Sequence, residues 1–119
     1  ETAKVGILGV TFKENCPDIR NSKIPALKHL LESKGCKVEL VDCFADKKEV
    51  KKSYNIQLKN LNDLRDLDCV ILAVPHLKYQ SLGNDFWIKI LKEKSLFVDI
   101  KSVFSREYFN ESKIHYWQL

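Results

Sequence analysis

Apolar segments of strand length alternate with helix-like segments along the whole chain. The apolar segments are KVGILGV (residues 4–10), CKVELVD (36–42), CVILAV (69–74), SLFVDI (95–100) and KIHYWQL (113–119). A segment that is apolar at successive positions, such as CVILAV, indicates a strand buried on both faces, which is typical of parallel sheets covered by helices. Because parallel connections are right-handed, helices are expected on both sides of the sheet. The pattern predicts an α/β fold, a Rossmann-like three-layer sandwich with a mainly parallel five-stranded sheet.

Helices are predicted between these strands, over residues 21–35, 45–54, 60–67 and 85–94. The first is the best defined, since Ser22 can cap it, Pro25 is tolerated in its first turn and Gly35 can end it. The length of 119 residues suits a single domain spanning residues 1–119. The chain has no Met, even at position 1, which predicts a fragment of a longer protein.

Composition and charge narrow the range of partners. The apolar runs are far shorter than the roughly 20 residues of a membrane span, and no signal-peptide pattern opens the chain, so no membrane contact is expected. The net charge of +4 permits an anionic ligand. The basic run at residues 47–52 is interpreted as a solvated helix face, and no aromatic residues interleave with it, so no nucleic-acid partner is predicted.

The four cysteines are Cys16, Cys36, Cys43 and Cys69, and they form neither a C-x-x-C pair nor a Cys/His metal-ligand set. Cys69 is predicted in the core, and Cys36 and Cys43 are interpreted as small hydrophobic residues flanking the second strand. This usage predicts a reduced, cytoplasmic protein without a metal.

The candidate ligand site lies beyond the carboxyl ends of the strands, where folds of this class bind ligands near the switch in strand order. The residues that follow the first four strands are therefore the candidates: Thr11, Phe12, Lys13, Asn15, Asp18, Arg20, Asp42, His76, Asp99, Lys101 and Ser102.

A complete dinucleotide site is not predicted at the turn after the first strand. The fingerprint for such a site is G-x-G-x-x-G opening directly into a helix, so that free N–H groups face the pyrophosphate. The chain offers Gly6 and Gly9 without a third glycine, and Pro17 delays the helix. Asp42 lies 33 residues past Gly9, whereas the acidic residue that binds the ribose usually follows after about 20.

The segment GVTFKENCPDIRNSK (residues 9–23) instead offers two cations and an aromatic ring. Lys13 can serve as a point charge for a diphosphate, Arg20 offers a planar fork to a phosphate or a carboxamide oxygen, and Phe12 can wall off a sugar or a base. The alternative is that both cations pair on the surface with Glu14 and Asp18. The residues by themselves leave both interpretations open.

The residues at the other strand ends are interpreted, from the sequence alone, as structural rather than catalytic. Lys101, taken alone, is interpreted as a solvated loop lysine. His76 has no Ser or Cys nucleophile at a recognisable spacing, so it is predicted to be a hydrogen-bonded, partly buried residue that caps the next helix rather than a base. Asp42 and Asp99 are predicted to cap turns or helices.

The order of residues carries a family resemblance. GVTFKENCPDIRNSK resembles the F-K-x-N-x-x-D-x-R-x-S segment of the UDP-glucose/GDP-mannose dehydrogenase family, at the opening of its C-terminal UDP-binding domain. DCVILAVPHLKY, and FVDIKSVF before a terminal YWQL, agree with the same domain. The resemblance extends over essentially the whole chain.

The resemblance implies an NAD-dependent UDP-sugar 6-dehydrogenase, which oxidises the C6 alcohol of a UDP-sugar to a carboxylate with two NAD. It implies substrate-binding roles for Phe12 and Lys13, with Lys13 near the diphosphate, and a role for Arg20 toward NAD held by another domain. Lys101 falls where many relatives carry a substrate-binding Arg, and a Lys lacks the bidentate fork of an Arg.

The resemblance also implies what lies outside the chain. The catalytic and NAD-binding N-terminal domains are absent from it, none of its cysteines is the nucleophile, and the domain alone is expected to be inactive. The UDP-N-acetylhexosamine branch, a role in polysaccharide biosynthesis and a homo-oligomeric full-length protein are further expectations. The alternative from another class is a stand-alone Rossmann-like nucleotide-binding regulatory module without catalytic activity.

Overall fold

The structure of the protein is a computed structural model, which describes residues 2–119. Five strands form one sheet: β1 (Lys4–Leu8), β2 (Lys37–Val41), β3 (Leu67–Leu72), β4 (Leu91–Asp99) and β5 (His115–Gln118). Their order is β2-β1-β3-β4-β5, and every neighbouring pair is parallel. The predicted five-stranded Rossmann-like sheet is confirmed, and it is parallel throughout.

The helices are α1 (Ile24–Ser33), α2 (Lys47–Tyr54), α3 (Leu77–Gln80) and α4 (Asn84–Ile90), with a 3₁₀ turn at Leu61–Asp63. Helix α1 begins at Ile24, later than the predicted start at residue 21, and Lys23 rather than Ser22 lies at its N-cap, without a side-chain cap hydrogen bond. Ser22 still contacts the helix start, because the Ile24 N–H donates to Ser22 Oγ at 3.2 Å, and Pro25 lies in the first turn, as predicted. Gly35 follows α1 with a φ of +95°, the left-handed conformation that ends many helices.

The two faces of the sheet have separate cores. On one face, α1 and α2 cover the buried strand residues Val5, Ile7, Val38 and Leu40. On the other face, α3, α4 and the segment 103–114 pack against β3 and β4, with Trp87 of α4 edge-on to Phe97 of β4. The result is the predicted three-layer arrangement, with the sheet in the middle.

The predicted end of α4 is wrong. The sequence favours a helix to residue 94, since LKEK contains good helix formers. In the structure, α4 stops at Ile90 and the chain enters β4 at Leu91, which is buried and pairs with Leu67. Pairing resumes between Cys69 and Leu96, so residues 92–95 form a bulge. Burial of Leu91 against β3 overrides the local helix preference.

The helix predicted over residues 60–67 is likewise shortened, to the 3₁₀ turn at Leu61–Asp63. Its last residue, Leu67, is wholly buried and begins β3. None of the helices within residues 2–119 is both long and apolar enough to span a membrane.

Strand order sets where a ligand site can lie. The chain leaves β1 for β2 at one edge and then crosses back to β3, so the switch in direction falls between β1 and β3. The loops that follow β1 and β4 leave the same edge of the sheet, with β3 between them. At about 4.8 Å between neighbouring strands, the ends of β1 and β4 are about 10 Å apart.

Candidate functional site

A buried carboxylate holds the beginning of the loop that follows β1. Oδ2 of Asp42 accepts hydrogen bonds from the N–H groups of Val10 at 2.7 Å and Thr11 at 3.2 Å. Oδ1 accepts from the N–H groups of Phe44 at 2.7 Å and Ala45 at 2.9 Å. Asp42 therefore caps its own turn, as predicted, and also ties the loop of β1 to the end of β2.

His76 completes this buried network. Its ring is wholly buried, with Nε2 at 3.0 Å from Asp42 Oδ2 and 3.3 Å from Thr11 Oγ1. The Asn15 N–H donates to Nδ1 at 2.9 Å. Because a backbone N–H can only donate, Nδ1 is the unprotonated nitrogen, and Nε2 carries the proton that is donated to Asp42. The hydrogen bonds thus select the neutral Nε2–H tautomer.

His76 was predicted to cap the next helix, and its side chain does not do so. His76 precedes α3, but its side chain makes no hydrogen bond to the helix end. The cap comes from the opposite loop, since the Leu77 N–H donates to Asn15 Oδ1 at 2.8 Å. The ring is turned inward instead, where Asp42 and the Asn15 N–H satisfy both of its nitrogens.

The Asp42 carboxyl is ionised in this setting. Burial raises its pKa, but the hydrogen bonds from His76 and from the N–H groups of Val10, Phe44 and Ala45 outweigh burial and leave the pKa below its ordinary value. The network is therefore a carboxylate surrounded by donors, next to a neutral imidazole.

The end of β1 does not fit the pyrophosphate of NAD. In a dinucleotide fold the N–H groups after the first strand face the pyrophosphate, whereas here those of Val10 and Thr11 face the Asp42 carboxylate. Gly9 has a φ of +110°, and a Cβ at this position would lie 2.4 Å from Val74 Cβ. The space that a ligand phosphate would occupy is thus taken up by the protein's own carboxylate and side chains.

Phe12 and Lys13 lie on the exposed outer side of the anchored loop. The Phe12 N–H donates to the Asp18 carbonyl at 2.6 Å, which closes the loop on itself. Thr11 Oγ1 donates to the Lys13 carbonyl at 3.0 Å. The Phe12 ring is 60% exposed and Lys13 is exposed. Among residues 2–119, Lys13 has no acidic partner within salt-bridge distance.

Arg20 does form the surface pair that the sequence left open. Its Nε donates to Asp18 Oδ1 at 3.0 Å and its Nη2 to Asp18 Oδ2 at 2.9 Å. The hydrogen bonds from the Arg20 side chain, and then from its backbone N–H, lower the pKa of Asp18 to about 2. The Arg20 side chain is still 85% exposed, so the pair orients the guanidinium without covering it.

Lys101 is exposed in the turn after β4, at the same edge of the sheet as Lys13. The turn is held by Asp99, which is wholly buried. Asp99 Oδ2 accepts from the Tyr116 hydroxyl at 2.5 Å and from the Phe104 N–H at 3.0 Å. The predicted capping role of Asp99 is confirmed, and it includes a contact to β5 that the sequence did not predict.

A groove opens beside the switch between β1 and β3. The groove has a volume of about 690 Å³ and is lined by Asn15, Cys43, Phe44, Leu77, Lys78 and Ser81. Phe44 and Leu77 present exposed apolar surface there, and the Phe44 ring lies 4.9 Å from the His76 ring. Cys43, interpreted from the sequence as a small hydrophobic residue flanking the second strand, lies directly after β2 and is exposed.

The sequence did not predict three parts of the site: Phe44, Leu77 and the hydrogen bonds of Asn15. The signal that could have found them is position: Phe44 follows β2, Leu77 begins α3, and Asn15 lies in the loop of β1. No local pattern indicated that Asn15 would bond to both His76 and Leu77.

Asp42, Cys43 and His76 bring potential metal-ligand atoms within 4.8 Å of one another. Both carboxylate oxygens of Asp42 and both ring nitrogens of His76 are already engaged in hydrogen bonds. A metal would have to replace those bonds, so this group does not fit a metal site.

The fold and the site define a class of protein. A parallel sheet of this strand order is a Rossmann-like domain, and here a long side-chain-rich loop anchored by Asp42 replaces the glycine-rich turn of a dinucleotide site. The model of the UDP-glucose/GDP-mannose dehydrogenase family, UDP binding domain, matches residues 6–106. The chain belongs to this family.

Individual relatives agree with the family match. The chain is 38% identical over 117 residues to Protein CapL of Staphylococcus aureus, covering 98% of this chain and 27% of that protein. It is 36% identical over 107 residues to the UDP-N-acetyl-D-glucosamine 6-dehydrogenase of Salmonella typhi, covering 90% of this chain and 25% of that protein. The chain thus spans about a quarter of the length of the curated relatives it matches.

A solved structure shows the same fold. The crystal structure of NDP-N-acetyl-D-galactosaminuronic acid dehydrogenase from Methanosarcina mazei Go1 superimposes with a TM-score of 0.86 at 21% identity. The match covers 99% of this chain and 24% of that one. It supports the arrangement of strands and helices described above.

Proposed function

We propose that this chain is the UDP-sugar-binding domain of an NAD-dependent UDP-sugar 6-dehydrogenase. The observation that carries the proposal is the family match over residues 6–106, which includes the anchored loop that presents Phe12 and Lys13. The enzyme would oxidise the C6 alcohol of a UDP-sugar to a carboxylate in two hydride transfers, each reducing one NAD. The name of the Salmonella typhi relative supports UDP-N-acetylhexosamines as the substrate class.

Lys13 and Phe12 would bind the nucleotide end of this substrate. Lys13 is exposed and has no acidic partner among the described residues, so its ammonium group is available to a diphosphate. The exposed Phe12 ring would pack against the sugar or the base. Lys101, on the loop of β4, would add a second positive charge at the same edge, without the bidentate geometry of an Arg.

Binding of the diphosphate, away from the reacting carbon, would contribute to catalysis by positioning the sugar. A grip on the diphosphate provides binding free energy that can hold C6 in place during both hydride transfers. Arg20 would extend toward NAD bound by another domain, with its guanidinium oriented by Asp18. The nucleophile and the NAD site would then lie in the part of the polypeptide that corresponds to the remaining three quarters of the relatives.

The domain would be one part of a larger protein. The domain alone would show no turnover, and the complete protein would be a cytoplasmic homo-oligomer that supplies a uronic acid for polysaccharide biosynthesis. The chain aligns with about a quarter of two longer proteins named UDP-N-acetyl-D-glucosamine 6-dehydrogenase, which favours the enzyme over a stand-alone regulatory module.

The test uses the polypeptide encoded by the complete reading frame. For Lys13→Ala, we expect KM for UDP-N-acetylglucosamine to rise about 10- to 100-fold, the equivalent of one lost hydrogen bond to a charged group. Lys52→Ala is the matched control, since Lys52 is an exposed lysine on α2. Wild-type KM and kcat in Lys13→Ala would contradict the role of Lys13. Calorimetry with UDP, UDP-glucose and UDP-N-acetylglucosamine would identify the preferred substrate.

A further inference from the structure

We propose that His76, as its neutral Nε2–H tautomer, is a positioning residue that holds Lys13 in place through the residues on either side of it. The inference rests on the proposed function, because it assigns His76 a part in substrate binding. His76 itself would not touch the substrate, since its ring is wholly buried and both nitrogens are bonded within the domain.

Lys13 lies between two residues that contact the same imidazole ring. Thr11 Oγ1 lies 3.3 Å from Nε2 and donates to the Lys13 carbonyl at 3.0 Å. The Asn15 N–H donates to Nδ1 at 2.9 Å. One buried ring therefore restrains the backbone before and after Lys13, while the Lys13 side chain remains exposed.

Asn15 is held by two hydrogen bonds to the segment that contains His76, one donated and one accepted. Besides its N–H bond to the ring, its Oδ1 accepts from the Leu77 N–H at 2.8 Å. Its φ of +59° is a left-handed conformation that Asn tolerates better than most residues. The turn between β3 and α3 thus fixes the loop of β1 at one point, and preorganisation of this kind reduces the entropy lost when a ligand binds.

The ring can act in this way because its own orientation is fixed. Asp42 Oδ2 accepts the Nε2 proton, and the rings of Phe44 and Tyr79 lie 4.9 Å and 5.5 Å from the imidazole. With Nε2–H directed at a carboxylate, Nδ1 must present its lone pair to the Asn15 N–H. The opposite tautomer would set a donor against that N–H.

Two substitutions of His76 distinguish the role of Nε2 from the role of Nδ1. In His76→Gln, the amide nitrogen can take the place of Nε2 and donate to Asp42, but the acceptor for the Asn15 N–H is lost. In His76→Asn, the amide oxygen can take the place of Nδ1 and keep that acceptor, but the donor to Asp42 is lost. In the complete enzyme, we expect His76→Gln to raise KM for the UDP-sugar about 3- to 10-fold at little change in kcat, the effect of one neutral hydrogen bond. His76→Asn should stay nearer to the wild-type KM.

Amide hydrogen exchange and imidazole ¹⁵N shifts decide the inference independently of turnover. We expect the Asn15 amide to lose protection in His76→Gln and to keep it in His76→Asn, and the wild-type ring to show a protonated Nε2 and an unprotonated Nδ1. Equal Asn15 protection in both variants, an unchanged KM in His76→Gln, or a wild-type Nδ1–H tautomer would overturn the inference. Failure of the proposed function would appear differently, as a wild-type protein that does not oxidise UDP-sugars.

Discussion

Replacement of Asp42 by Asn should destabilise the domain far more than its isosteric shape suggests. The carboxylate accepts three hydrogen bonds at Oδ2 and two at Oδ1. An Asn must place its NH₂ group at one of these two positions, where it faces at least two donors and can accept from neither. At about 1.5–3 kcal/mol for each hydrogen bond to a charged group, the free energy of unfolding should fall by about 3–6 kcal/mol. That is a large part of the roughly 5–15 kcal/mol typical of a domain.

Urea denaturation of the wild-type chain and of Asp42→Asn measures this difference. Asp46→Asn is the matched control, because Asp46 caps α2 by accepting from the Lys48 N–H at 2.9 Å on the surface. Asn is about as good an N-cap as Asp, so the control should stay within about 0.5 kcal/mol of wild type.

The acid dependence gives a second measurement of the same effect. The pKa of Asp42 is lower in the folded protein than its ordinary value of 3.8, so its stabilising contribution is present above that value. The contribution is lost as the pH falls through the folded-state pKa. Wild type should therefore lose more stability than Asp42→Asn over this acid range. A loss below about 1 kcal/mol at neutral pH, or an unchanged acid dependence in Asp42→Asn, would refute the reasoning.

Two further predictions concern the loops on either side of the site. Gly9→Ala should destabilise the domain by about 2–4 kcal/mol, because Gly9 has a φ of +110° and its added Cβ would lie 2.6 Å from the Val74 backbone nitrogen. Thermal unfolding would measure this loss of stability, and a loss below about 1 kcal/mol would contradict the prediction. Tyr116→Phe should lower the free energy of unfolding by about 1.5–3 kcal/mol, because the buried Asp99 loses its hydrogen bond from the Tyr116 hydroxyl. Burial, and then the bond to Asp99, raise the pKa of Tyr116 to about 12 from an ordinary value of 10.0, so this stabilisation is full below pH 10.0 and is lost as the pH rises through about 12. Urea denaturation at neutral and alkaline pH would measure it, and equal stability of Tyr116→Phe and wild type at neutral pH would contradict it.

Much of the fold follows from local patterns in the sequence. The apolar segments predict the five parallel strands, and Ser22, Pro25 and Gly35 mark α1, because strand periodicity and helix caps depend on residues close together in the chain. The end of α4 at Ile90 does not follow from local sequence patterns. The helix-forming sequence after Ile90 is overridden by pairing of Leu91 with Leu67, which lies 24 residues earlier.

The sequence by itself determined the class of fold, the family, and the loop that carries Phe12, Lys13 and Arg20. Only the tertiary structure decided that Asp42 would occupy the place of a ligand phosphate and that His76 would be a neutral, buried ring. These roles depend on contacts between residues 31 to 65 positions apart in the chain. The direction of each hydrogen bond, and hence the charge and tautomer of each group, is set by donors and acceptors that meet only when β1, β2 and β3 end at one edge of the sheet.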